Sequence, residues 1–197
     1  MNLRRILCKL RNHIFFRNYG CIGEDSYIIK PMRIIGKKNI FIGNGCSILN
    51  GARMETVSQW EKQCYDGKII IGDNSSIEQC CHIIAADELE IGSRTVISAF
   101  VYIADCGHSY AFSEESVMQN PLEVKKTKIG DNCFVGIGAK IMPGVTLGDH
   151  VIVGANAVVT KDVPSNTMVA GIPARVIKKY DVSQKKWTES VVSKDEI

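Results

Sequence analysis

Aliphatic residues recur at every sixth position along much of this chain. In "KIGDNCFVGIGAKIMPGVTLGDHVIVGANAVVT" they are Ile129, Val135, Ile141, Leu147, Val153 and Val159. Gly follows at Gly130, Gly136, Gly148 and Gly154, and the residue four places after an anchor is small or apolar: Cys133, Ala139, Val145, Val151, Ala157. The same phrase runs upstream through Ile71, Ile77 and Ile83, and again through Ile91, Ile97 and Ile103. Weaker copies stand at Ile35-Gly36 and at Ile42-Gly43 with Ile48. A period of six fits neither a helix nor a simple strand alternation. It predicts a short strand and a turn, repeated, with Gly-Asp and Gly-Asn pairs supplying the turn backbone. Three such units close a triangular coil of about eighteen residues, and stacked coils share one aliphatic core.

The period fails from 104 to 128, beginning in "IADCGHSYAF". Structureless loops of that length in compact domains are mostly functional or disordered, and this one opens with His108. A second interruption, "ETVSQWEKQCYDGK" at 55–68, carries Trp60 and Tyr65, which either stack on a sugar ring or anchor the loop. Ahead of the repeat, residues 3–16 predict a helix with Leu3, Leu7, Leu10 and Ile14 on one face and basic residues on the other. Such a helix either caps the end of the coil, where open strand edges need cover, or lies on a membrane surface. The expected division is 1–33 helix and lead-in, 34–178 repeat domain, and 179–197 a polar tail, a short helix or disordered.

The repeat, together with "IGDNCFVGIGAKIMPGVTLGDHVIVGANAVVTKDVP" and "VAGIPARVIKK", resembles the hexapeptide-repeat acyltransferases, over roughly residues 34–178. The carboxyl half is similar to the maltose and galactoside O-acetyltransferases and their polysaccharide-biosynthesis relatives. The resemblance implies an all-β, left-handed parallel β-helix, an exception to the usual right-handed crossover. It also implies a homotrimer with acetyl-CoA as co-substrate. His108, five places after the anchor Ile103, matches the family's catalytic base. Its role would be to take the acceptor hydroxyl proton in direct attack on the thioester.

Further roles follow from the same resemblance. His82 is an acceptor-side or orienting residue, or a hydrogen-bonded histidine of the coil. Asp105 either orients His108 or caps a turn. Phe134 stands where many relatives carry Trp, so an aromatic wall is kept and an indole N–H is not. Ala155, Thr160, Lys161, Arg175 and Lys178 match the coenzyme A groove; small Ala155 admits the pantetheine arm, and the cations suit phosphate oxygens. Gly171 and Pro173 shape the turn that ends the coil. Cys106 is read as a small loop residue, since nothing in the family pattern calls for a nucleophile there.

Composition then narrows the classes. The chain has 197 residues, is 45% hydrophobic and 23% charged, and has a net charge of +3. That balance fits one globular domain and gives no argument for nucleic acid. The start reads as neither a signal peptide nor a membrane span, which points to the cytoplasm and to reduced thiols for the 8 cysteines. No CxxC pair occurs, so no metal site is expected. A carbonic anhydrase would need three metal histidines where the break offers only His108. Serine acetyltransferase would need a large helical amino-terminal domain. The expected activity is acetyl-CoA-dependent O-acetylation of a sugar or glycan hydroxyl. The alternatives are N-acetylation of a nucleotide-linked amino sugar and a non-catalytic scaffold.

Overall fold

The computed structural model describes residues 18–111 and 116–189. The helix expected over 3–16 lies outside them. The described chain winds through three sheets. The first face stacks Cys21–Ile22, Ile40–Ile42, Lys68–Ile71, Glu88–Ile91, Thr127–Ile129 and Thr146–Leu147, all in parallel. The second carries Tyr27–Ile28, Ser47–Ile48, Ser76–Ile77, Val96–Ile97, Phe134–Val135 and Ile152–Val153. The third carries Arg33–Ile35, Arg53–Thr56, His82–Ala85, Tyr102–Ala104, Lys140–Ile141 and Val158–Val159.

Each anchor sits on its counterpart one coil away. Ile97 pairs with Ile77 on one side and Val135 on the other; Ile103 pairs with Ile83 and Ile141. All six are 0% exposed. Burying one such side chain is worth about 1.5–3 kcal/mol, so the column of anchors is the main stabilising element. At the corners the chain turns through left-handed backbone, as at Asn74 (φ 57°) and Asn132 (φ 54°), where Asn tolerates that region. The Asp before each fixes the coil below: Asp73 accepts from Asn44 N at 2.7 Å, and Asp131 from Ser93 N at 2.8 Å.

Three expectations are corrected. The coil begins at Cys21, not at 34, because Ile22, Ile28 and Ile34 already step by six and stack on Ile42, Ile48 and Met54. The anchor there is therefore Ile34, while Ile35 opposes Glu55 and is 37% exposed. At the other end, the proposed boundary at 178/179 falls inside the strand Ala174–Asp181, which pairs antiparallel with Thr167–Gly171 and with Lys186–Glu189. His150, Tyr180 and Trp187 hold this tail onto the coil, with ring centroids 5.0–5.6 Å apart, so residues to 189 form two strands joined by a turn rather than a short helix or a disordered tail.

Both interruptions leave the coil at the same corner, between the third and first faces. One follows Arg53–Thr56 and the other follows Tyr102–Ala104, and the coil between them turns that corner tightly at Ala86-Asp87. The first is a hairpin, Gln59–Trp60 against Gln63–Cys64. It rejoins the coil at Gly67, where a Cβ would collide with the Ala85 carbonyl oxygen. The second is a hairpin of Cys106–His108 against Leu122–Val124, in which His108 opposes Leu122.

Candidate active site

Stacking of the third face aligns the residues that precede its anchors. Arg33, Arg53, His82, Tyr102 and Lys140 stand in one outward row, each the register partner of the next. The His82 and Tyr102 rings meet edge to face, with centroids at 5.4 Å and planes at 74°. Glu55, only 7% exposed, accepts from Arg53 Nη2 at 2.8 Å and faces Arg33 Nε at 3.1 Å. The Arg53 hydrogen bond, ahead of the other charges, holds the Glu55 carboxyl below the usual carboxylate range. Burial, and then the Arg53 charge, lower the His82 pKa, with Glu55 opposing them.

The two insertions roof this row. The Trp60 indole donates to the Met118 carbonyl at 3.1 Å. The Tyr65 hydroxyl accepts from Leu122 N and donates to Gln63 Oε1, both at 2.8 Å. These contacts anchor both loops. Asn120 closes the second loop, donating to the Ser109 and Ala111 carbonyls at 2.9 and 3.0 Å. His108, half-buried, lies under this roof against Trp60.

Two clefts meet at His108. The first, ≈ 530 Å³, runs toward the amino-terminal coils between Arg33, Arg53, Glu55, His82, Trp60 and Tyr102. The second, ≈ 540 Å³, runs the other way past Tyr110, Lys125, Met142, Pro143 and Thr160. Tyr102, Cys106, Gly107 and His108 line both. Among the described residues, four side-chain polar atoms are buried without a hydrogen-bond partner: Arg53 Nε, Glu55 Oε1, His82 Nε2 and His108 Nδ1. All four residues line the first cleft. Glu55 Oε1 still has the Arg33 guanidinium 3.1 Å away, which leaves Arg53 Nε, His82 Nε2 and His108 Nδ1 without a partner; buried polar groups are almost always paired, and these three converge on one cleft.

Other expected site residues fall elsewhere. Asp105 is 0% exposed and both its oxygens accept from backbone, Ala86 N at 2.7 Å and Asp87 N at 2.8 Å, which is the turn-capping arrangement. Burial raises its pKa. Burial and Asp105 push the Cys106 thiol up to about 12, so it stays protonated and is a poor nucleophile. Phe134 is 46% exposed on the second face, apart from the row that carries His82. Thr160 lines the second cleft, whereas its neighbour Lys161 lines a third of ≈ 520 Å³ with Arg175. Lys178 lies outside that group, paired with Glu189 at 3.1 Å. Ala155 is exposed at a corner. Arg33, Arg53, Glu55 and Tyr102 were not anticipated. The signal was their position beside an anchor, which becomes visible once the coils are stacked.

A stacked coil of six-residue units with a histidine-bearing loop at one corner defines a hexapeptide-repeat transferase. Residues 126–161 match the family model described as bacterial transferase hexapeptide (six repeats). Over 196 residues the chain is 30% identical to a putative lipopolysaccharide biosynthesis O-acetyl transferase, WbbJ, of Escherichia coli K12, covering 95% of this chain and 93% of that protein. The chain belongs to the hexapeptide-repeat acyltransferases, whose left-handed parallel β-helix it shares. Among solved structures, a maltose O-acetyltransferase from Clostridium difficile 630 superposes with a TM-score of 0.58 at 26% identity, covering 90% of this chain and 86% of that one. The N-acyltransferase AntD from Bacillus cereus, in complex with dTDP and 3-hydroxybutyryl-CoA, gives 0.73 at 18% identity, covering 88% and 90%.

Proposed function

We infer that the protein transfers an acetyl group from acetyl-CoA to a hydroxyl of a sugar or glycan, with His108 as general base. The observation that carries this is the place of His108 on the wall shared by two clefts. The first cleft, polar and flanked by the Trp60 and Tyr102 rings, suits a saccharide, whose ring presents both apolar and hydroxyl edges. The second leads from His108 past Met142, Pro143 and Thr160 toward Lys161 and Arg175. An apolar stretch followed by cations matches a pantetheine arm followed by phosphates. The similarity to an O-acetyl transferase of lipopolysaccharide biosynthesis supports the same reading.

The chemistry is direct. The imidazole accepts the hydroxyl proton as the acceptor oxygen attacks the thioester carbonyl. The tetrahedral intermediate collapses with loss of the coenzyme A thiolate, which takes the proton back from His108. No enzyme-bound acyl group forms, in keeping with the protonated Cys106. The protein is read as a homotrimer acting in the cytoplasm, where acetyl-CoA is made. Exposed Phe100, Phe134 and Ile137 support contact between copies.

The test is thiol release from acetyl-CoA across a panel of saccharides, with product mass and linkage determined. An ester product in wild type is expected. His108→Ala should lower kcat by ~10²–10⁴, the usual worth of a positioned base, with folding and coenzyme A binding kept. His82→Ala should lose less. An amide product on amino sugars alone, or a His108→Ala enzyme retaining over a tenth of turnover, overturns the assignment.

A further inference from the structure

We propose that the first cleft selects acceptors bearing an anionic group, a carboxylate or a phosphate on the sugar, and that Arg33 and Arg53 read that charge. This rests on taking the cleft as the acceptor site and goes further in naming the acceptor's chemistry.

Among the lining residues, Arg33 and Arg53 are two guanidinium groups and Glu55 is the sole carboxylate. One buried carboxylate holds both, Arg53 Nη2 at 2.8 Å and Arg33 Nε at 3.1 Å. A single negative charge fixes the two arginines in place but cannot neutralise both. One positive charge is left over, on groups that cannot be deprotonated. The Arg53 Nε–H is buried and has no acceptor. It is a donor only, so the missing partner is an oxygen or another acceptor. His82 Nε2, also buried and unpartnered, belongs to the neighbouring residue in the same row. Arg33, with 60% of its side chain exposed, stands where an entering ligand is still solvated. Neutral hydroxyls could satisfy the orphan donor, but filling the cleft with them would desolvate the surplus charge without compensation, which is costly. An anion removes both deficits, and planar guanidinium groups suit carboxylate and phosphate oxygens alike.

The test compares a methyl glucoside, the matching methyl glucuronide and glucose 1-phosphate on the full chain. Binding is measured calorimetrically with coenzyme A present, and acetyl transfer by thiol release. Wild type should bind one or both anionic probes about tenfold or more tighter than the neutral one, and ~0.5 M salt should narrow the gap. Preference for the glucuronide identifies an acidic sugar, and preference for the 1-phosphate identifies a phosphorylated or diphosphate-linked one. Arg33→Gln and Arg53→Gln should each weaken binding of the anionic probe more than that of the neutral one, erasing most of the preference. Arg33 is exposed, so its variant remains informative even if Arg53→Gln folds poorly. Equal binding of charged and neutral probes by wild type, or of none, overturns the proposal. So does an equal loss of all three in the variants. If the neutral probe is acetylated in a His108-dependent way without any charge preference, the acceptor site stands and only the anion selectivity falls. If saccharides are acetylated but neither arginine variant changes any acceptor's KM, the cleft is not the acceptor site.

Discussion

Trp60 stands edge-on to His108, with ring centroids 5.0 Å apart and planes at 61°. The contact joins the two insertions, so the first loop fixes the orientation of the imidazole carried by the second. Trp60→Ala should lower kcat by about 10- to 100-fold, the scale of a displaced catalytic group, with little change in KM for acetyl-CoA. Trp60→Phe keeps the ring and loses the bond to the Met118 carbonyl, and should fall between the two. Steady-state kinetics beside melting curves decide it: wild-type kcat in Trp60→Ala would mean the ring contact does nothing for the base.

Arg175 and Lys178 should part company. Arg175 lines the cleft with Lys161, and Arg175→Ala should raise the KM for acetyl-CoA by about 10- to 150-fold, the loss of a charged hydrogen bond. Lys178 is turned to Glu189, itself 79% exposed, a pair of the kind that contributes little. Lys178→Ala should leave KM within a factor of about two. Repeating the measurement with acetyl-pantetheine, which lacks the nucleotide, should make wild type and Arg175→Ala alike. A persisting difference would place the Arg175 contact elsewhere on the substrate.

His82 sets part of the acid stability. Its pKa is depressed in the fold, chiefly by burial and then by Arg53. The unfolded chain therefore takes up a proton there more readily than the folded one. The associated stability is full above the ordinary value of ~6.5 and is lost as pH falls from there through the folded value. Glu55, also depressed, acts in the same sense below ~4.3. Urea midpoints should decline from pH 7 to pH 5, and His82→Asn should flatten the upper part of that slope. An imidazole titration by nuclear magnetic resonance with His82 at or above the ordinary value contradicts this account.

Ile97 tests the core. It is 0% exposed between Ile77 and Val135. Ile97→Ala should cost about 2–5 kcal/mol, read as a lowered denaturant midpoint with the slope unchanged. A cost below about 1 kcal/mol would mean the column relaxes around the gap.

Much of the fold was legible because its core is one-dimensional: the anchors from Ile71 to Val159 repeat without needing any contact to be known. The first coil was misread by one residue because Ile34 and Ile35 are both aliphatic, and only the unbroken step from Ile22 and Ile28 separates them. Of the candidate site, the loop that carries His108 was marked by the break in the repeat. Arg33, Arg53, Glu55 and Tyr102 were not, since their proximity comes from stacking between coils, which sequence distance hides. Phe134 looked close to the site in the family's phrase, yet it projects from another face of this chain. Trp60 could be noticed as an aromatic in an insertion, but not its seat on His108, which depends on two loops meeting across the coil between them.

The shared exit corner has a consequence for redesign. The aliphatic column is indifferent to what leaves it there, so loop length and sequence can drift without disturbing the scaffold. The two excursions are not independent, however: Trp60 is bonded to Met118 and Tyr65 to Leu122. Grafting a relative's loop at 104–128 alone would strand the hairpin at 57–67 against a foreign partner. A chimera should therefore carry both loops from one donor, so that the partners of Trp60 and Tyr65 stay matched while the coils remain as they are.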